Sequence, residues 1–182
     1  MPCPICMMNF NLPNWITLSR SLSIPIILYL LQSPTSEHRT IALFVFLLAS
    51  LTDWVDGYLA RRLNQVTELG KFLDPLVDKL LVLSTLLALI EIGLVPAWGV
   101  CLILVRELVI AGWRINPSLS GSSTISGANI WGKLKTFSQV LAIAMLLYPG
   151  ELVLALPMFW LSVLLTLVSG MLYLLPSQDQ KI

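Results

Sequence analysis

The stretch from residue 53 to residue 79 reads DWVDGYLARRLNQVTELGKFLDPLVDK and sets four aspartates into otherwise apolar sequence. An α-helix turns about 100° per residue, so Asp53 and Asp56 share one face of a first predicted helix. Asp74 and Asp78 are four residues apart and form a stripe on the next predicted helix. Two antiparallel helices joined by a short basic connection would therefore point four carboxylates into one small volume.

Four carboxylates this close together repel one another unless a cation lies among them. Each aspartate inside a membrane span also costs roughly 2.5–3.5 kcal/mol if nothing compensates it. Because oxygen ligands favour a hard ion, the cluster predicts a site for Mg²⁺ or Mn²⁺. The alternative is that these are membrane-interface carboxylates that pair with the neighbouring cations, which are Arg61, Arg62, Lys71 and Lys79. Facing stripes with interleaved glycines favour the metal site.

The composition predicts that lipid surrounds much of the chain. Of its 182 residues, 57% are hydrophobic and 12% are charged, whereas about a quarter of the residues in a soluble domain are charged. Apolar runs long enough to span a membrane lie at about 15–31, 39–62, 70–92, 97–113, 130–148 and 152–175. We therefore predict an all-α integral membrane protein with six transmembrane helices. It would form a single catalytic domain over residues 1–182, with an N-terminal segment at 1–13 and a C-terminal tail at 176–182.

Lysine and arginine placement predicts the orientation of these helices. Basic residues gather at the junctions of spans two and three and of spans four and five, whereas the opposite side has Arg39. Both termini and the aspartate cluster are therefore expected at the cytoplasmic face. The N-terminus lacks a basic region followed by an AxA-like site, so we predict no cleaved signal peptide. The net charge of +1 offers no basic field for nucleic acid.

The motif DxxDGxxARx8GxxxDxxxD, which begins at Asp53, matches the signature of the CDP-alcohol phosphatidyltransferases position for position. The chain therefore resembles that family, whose core has six helices. The resemblance implies that the four aspartates bind two divalent ions and that Asp78 is also the general base. It further implies a CDP-lipid site, formed by Asn14, Thr17, Gly57, Ala60, Arg61, Thr67 and Gly70. Family members are often homodimers, and a homodimer is expected here.

Four stretches resemble the phosphatidylglycerophosphate-forming branch of this family: TDWVDGYLARRLNQ, LGKFLDPLVDK, VRELVIAGWR and WGKLKT. The resemblance implies transfer of a phosphatidyl group from CDP-diacylglycerol to sn-glycerol 3-phosphate, with release of CMP. The acceptor carries a phosphate dianion, which cations bind. The candidate cations are Arg106, Arg114, Lys133 and Lys135.

Other interpretations of these features remain open at the level of sequence. Arg106 could instead pair with Glu107 or with a signature aspartate, and the two lysines could be membrane anchors. A cardiolipin synthase of the same family would use phosphatidylglycerol as its acceptor. A small cation transporter could use the aspartates as its ion site, but it would predict two related halves with broken helices. The sequence shows no internal repeat of that kind.

Overall fold

The chain is all-α in the computed structural model, which describes residues 12–63, 68–115, 130–150 and 153–174. The helices are α1 (Leu12–Gln32), α2 (Ser36–Leu63), α3 (Glu68–Glu91), α4 (Ala97–Ile115), α5 (Ile130–Leu147) and α6 (Ala155–Leu174). The predicted all-α class and the six predicted helices are confirmed, and their ends agree with the apolar runs to within about one helical turn. The single domain predicted for residues 1–182 stays a prediction.

The connection between α1 and α2 is short, and Thr35 at its end caps the second helix. The backbone N–H of His38 donates to Thr35 Oγ1 across 3.2 Å, and the N–H of Arg39 donates to the Thr35 carbonyl across 2.9 Å. The His38 ring contacts the Ser33 carbonyl through Nδ1 at 2.7 Å. A threonine at this position satisfies an N–H group that a helix leaves unpaired in its first turn.

The end of α3 depends on a glycine. Gly93 has a φ of 75°, a left-handed conformation that glycine adopts without the steric cost of a Cβ atom. Its N–H donates to the Ile90 carbonyl, and the N–H of Leu94 donates to the Leu89 carbonyl across 3.0 Å. These two bonds form a Schellman motif. The connection between the third and fourth helices is therefore tight because the backbone turns at Gly93.

Contacts divide the chain into two compact units, residues 1–85 and residues 86–182. In the first unit, α1 packs against α2. The buried side chains on these two helices include Ile27, Leu31, Ala42 and Phe46. Ala42 is fully buried in this first unit.

In the second unit, α6 packs against both α4 and α5. Its buried Phe159 lies against Gly99 of α4, where a Cβ atom would come within 2.8 Å of Phe159 Cε1. Trp160 follows in sequence and pairs with Trp98 at a ring-centroid distance of 4.2 Å. Glycine at position 99 therefore sets how closely α4 and α6 approach.

The outward faces of the helices are apolar over much of their length. Tyr29 and Leu48 in the first unit, and Phe137 and Met171 in the second, are each about two-thirds or more exposed. Several buried positions are polar, by contrast, among them Gln139 and Thr166. Within the described residues, none of the helices has the combination of length and apolarity that a membrane crossing requires.

We expect Gly99→Ala to destabilise the second unit. The added methyl group would overlap the Phe159 ring, and overpacking of this kind costs about 1–3 kcal/mol. Chemical unfolding of the detergent-solubilised protein measures the change. Gly112→Ala in the same helix is the matched control, because nothing lies within 4 Å of its Cβ position. Equal stability of the two variants would contradict the close packing of α4 on α6.

Candidate active site

The signature aspartates lie on two helices that follow one another in sequence. Asp53 and Asp56 are in α2, and Asp74 and Asp78 are in α3. Both segments are helical throughout these positions, so the spacing of the motif translates into shared helix faces, as predicted. Asp78 is half-buried. The side chains of the other three aspartates lie outside the described ones.

The residue types at these four positions fit a hard divalent ion. All are carboxylates on helical stripes, and carboxylate oxygens are the ligands that Mg²⁺ and Mn²⁺ prefer. Where side chains are described, no group of three or more histidine, cysteine, aspartate or glutamate side chains could hold a metal ion. Because three of the four predicted ligands fall outside that set, the predicted metal site stays a prediction.

The predicted CDP-lipid residues fall on three helices and one connection. Asn14 and Thr17 are in the first turns of α1. The signature positions 57, 60 and 61 are in α2, and position 70 is in the first turn of α3. The side chains at these positions lie outside the described ones. Thr67 lies outside the described residues altogether. Their role in binding the CDP-lipid stays a prediction.

A second polar cluster lies in the other unit, where α4, α5 and α6 meet. Arg106 of α4 donates through Nη1 to Glu107 Oε1 and through Nη2 to Ser169 Oγ of α6, each across 3.0 Å. Lys135 of α5 forms an ion pair with the same Glu107 oxygen. Glu107 and Lys135 are each only 7% exposed. We call these four residues the Glu107 cluster.

The structure thus brings together two of the four cations predicted for the acceptor. Arg106 and Lys135 share one carboxylate, so the pairing of Arg106 with Glu107, left open by the sequence, is present. Lys133 is exposed, and its side chain is absent from the described ion pairs. Arg114 is in the last turn of α4, and its side chain is outside the described ones. The acceptor-binding role of all four cations stays a prediction.

Next to the cluster, a buried hydrogen bond joins α5 to α6. Gln139 Nε2 donates to Thr166 Oγ1 across 3.0 Å, and the Thr166 hydroxyl donates in turn to the Ser162 carbonyl across 2.7 Å. Gln139 lies one turn beyond Lys135, so polar contacts continue along the same helix face. Buried hydrogen bonds of this kind fix the relative register of packed helices.

From the sequence alone, Glu107 was only a possible partner of Arg106, and Ser169, Gln139 and Thr166 were not identified. The sequence of α6 contains a pattern that could have indicated a polar face, because Ser162, Thr166 and Ser169 are spaced by four and three residues. Such a spacing places small polar side chains on one helix face. It does not identify which neighbouring helix supplies their partners.

We expect Thr166→Val to lower the free energy of unfolding by about 1–3 kcal/mol, because it leaves the buried Gln139 amide without its acceptor. The double variant Gln139→Leu/Thr166→Val should lose less than the sum of the single changes. Thr136→Val is the matched control, since Thr136 is exposed and bonds only within its own helix. Additive single effects would show that the two side chains do not interact.

Comparison with known proteins gives consistent results along the chain. Residues 10–168 match the family model for CDP-alcohol phosphatidyltransferase. The chain is 43% identical to the CDP-diacylglycerol–glycerol-3-phosphate 3-phosphatidyltransferase of Bacillus subtilis (strain 168), covering 90% of this chain and 93% of that protein. It is 35% identical to the protein of the same name from Rickettsia typhi, covering 90% and 94%. The corresponding Salmonella choleraesuis protein is 33% identical, covering 92% and 94%.

Proposed function

The chain belongs to the CDP-alcohol phosphatidyltransferase family, and from this premise we propose that it transfers the phosphatidyl group of CDP-diacylglycerol to sn-glycerol 3-phosphate. The products are phosphatidylglycerol phosphate and CMP, and the activity serves phospholipid biosynthesis. The observation that carries this proposal is the 43% identity to a relative of that name over nine-tenths of the chain. The carboxylate stripes of α2 and α3 supply a chemical basis for it.

In the proposed reaction, Asp78 accepts the proton of the glycerol hydroxyl group. The resulting oxygen attacks the β-phosphorus of CDP-diacylglycerol, the bond to the α-phosphate oxygen breaks, and CMP leaves. Arg61 holds the diphosphate in place, because a guanidinium group binds phosphate oxygens in two-point contacts. A direct displacement fits the signature, which contains no serine, cysteine or histidine nucleophile.

Members of this family generally depend on divalent metal. We propose that Asp53, Asp56, Asp74 and Asp78 hold two ions, either Mg²⁺ or Mn²⁺. Such ions neutralise phosphate oxygens and stabilise a leaving phosphate. Their carboxylate ligands also share the helix stripes with Gly57 and Gly70, whose missing side chains leave room for a ligand beside the backbone.

Membrane association follows from the family, and we propose in addition that the chain is a multi-pass protein of a bacterial-type plasma membrane or equivalent organelle membrane. Large apolar side chains on the outer faces and hydrogen-bonded polar side chains inside support this arrangement. Basic residues near the signature and near α5 favour a cytoplasmic active site with both termini on that side.

The proposal includes a homodimer, which sedimentation of the detergent-solubilised protein tests.

The acceptor can be identified by incubating purified protein with radiolabelled CDP-diacylglycerol and a panel of alcohols. We expect phosphatidylglycerol phosphate and CMP to form with sn-glycerol 3-phosphate. Formation of cardiolipin with phosphatidylglycerol, and no product with sn-glycerol 3-phosphate, would replace the proposed acceptor. Metal uptake into vesicles without turnover of the CDP-lipid would favour a cation transporter instead.

We expect Asp78→Asn to lower kcat by at least about a hundredfold, because an amide cannot accept the hydroxyl proton at neutral pH. Removal of metal from the unaltered protein with EDTA should abolish turnover, and added Mg²⁺ or Mn²⁺ should restore it. Glu91→Gln is the matched control, since Glu91 is an exposed carboxylate at the end of the same helix. Full activity of Asp78→Asn would exclude its role as general base.

A further inference from the structure

The Glu107 carboxylate connects cations from two helices. One oxygen accepts from Arg106 of α4 and pairs with Lys135 of α5. Ser169 of α6 binds the other terminal nitrogen of Arg106. Three helices therefore meet through four polar side chains, and the only carboxylate among those four belongs to Glu107. Without it, the cluster would place two positive charges close together in a mostly buried site.

Arg106 is held on two sides. Glu107 and Ser169 bind its two terminal nitrogens, and its stem lies against Gly170, where a Cβ atom would come within 3.0 Å of Arg106 Cγ and 3.1 Å of Nε. The Nε atom is buried without a hydrogen-bond partner among the described residues. A guanidinium group carries five N–H donors, and the bonds to Glu107 and Ser169 engage two of them. Arg106 is therefore held in place by Glu107, Ser169 and Gly170.

Both cations of the Glu107 cluster bind one carboxylate. Arg106 and Lys135 each carry a positive charge, and both contact the same Glu107 oxygen. A carboxylate shared in this way restrains both cations and holds them close together. A phosphate group suits such a site, because its oxygens accept from guanidinium and ammonium donors together.

We infer that Glu107 is a positioning residue for the phosphate of the acceptor, which holds Arg106 and Lys135 at a fixed separation, and that Ser169 and Gly170 fix the orientation of Arg106. The inference rests on the proposed function, because it takes the acceptor to be a phosphate-bearing alcohol. Glu107 acts through the two cations, so its loss affects binding of the acceptor and not of the CDP-lipid. A fixed pair of cations loses affinity when either one moves by a fraction of its hydrogen-bond length.

The test is a comparison of steady-state kinetics for the full-length protein and three variants. Glu107→Gln removes the shared charge at constant size, Ser169→Ala removes the hydrogen bond to Arg106, and Gly170→Ala inserts a methyl group against the arginine stem. For each variant we expect the KM for sn-glycerol 3-phosphate to rise by about tenfold, with the KM for CDP-diacylglycerol changed by less than about twofold. Inorganic phosphate should lose potency as a competitive inhibitor to the same extent.

Each variant has a matched control. Glu91→Gln removes an exposed carboxylate, Ser162→Ala removes a buried hydroxyl that donates only to its own helix, and Gly112→Ala adds a methyl group in open space. Ser169→Thr keeps the hydroxyl group and should retain most of the affinity that Ser169→Ala loses. Glu91→Gln, Ser162→Ala and Gly112→Ala should each leave the KM for sn-glycerol 3-phosphate within about twofold of the unaltered protein. Thermal unfolding of every variant in detergent accompanies the kinetics.

The outcomes separate the inference from the proposed function. If the unaltered protein turns over sn-glycerol 3-phosphate and Glu107→Gln leaves its KM unchanged or lowered, the positioning role is excluded while the function stands. Equal rises in both KM values, or a loss of kcat and thermal stability alone, would show a purely structural cluster. If the unaltered protein uses only an acceptor without a phosphate group, the proposed function fails and the inference with it. If Glu107→Gln does not fold, Ser169→Ala and Gly170→Ala still test the inference, because both change the position of Arg106. An unchanged KM for sn-glycerol 3-phosphate in both variants would then exclude it.

Discussion

A charge placed among apolar helices has to be neutralised where it lies, and this constraint organises the polar residues of the chain. Leaving one partner of a buried ion pair alone costs about 3–5 kcal/mol, a large fraction of the stability of a folded domain. The Glu107 cluster meets the constraint with side chains from α4, α5 and α6. In the proposed function, the same requirement would act on the four aspartates of α2 and α3, with divalent cations as the counterpart.

Much of the fold could be predicted because apolar runs and their breaks are local properties. The Gly93 turn and the Thr35 cap each depend on a few neighbouring residues, and the six helices end close to the predicted positions. The helical spacing of the signature could be predicted for the same reason, since Asp74 and Asp78 belong to one continuous helix. Local sequence therefore determines which residues share a helix face.

Contacts between helices could not be predicted in the same way. Arg106 and Lys135 were both predicted to bind the acceptor, but nothing in the sequence indicated that a single carboxylate joins them. Lys135 is far from Glu107 in sequence, and Ser169 is farther still from Arg106. Such pairs depend on helix rotation and on the approach of α6 to its neighbours, which Gly99 and Gly170 permit by having no side chain. The positions of small residues such as Gly99 and Gly170 therefore help to determine which polar side chains meet.

The composition of the Glu107 cluster also bears on how a site can bind phosphate reversibly. Two buried cations without a carboxylate would repel each other and would have no fixed geometry before an anion arrived. Two carboxylates would neutralise both cations and remove the attraction for an anion. The Glu107 carboxylate contacts both Arg106 and Lys135, and this shared contact restrains the two cations before an anion arrives. Under the inference drawn above, an acceptor phosphate would bind cations that are already ordered and would not have to order the site itself.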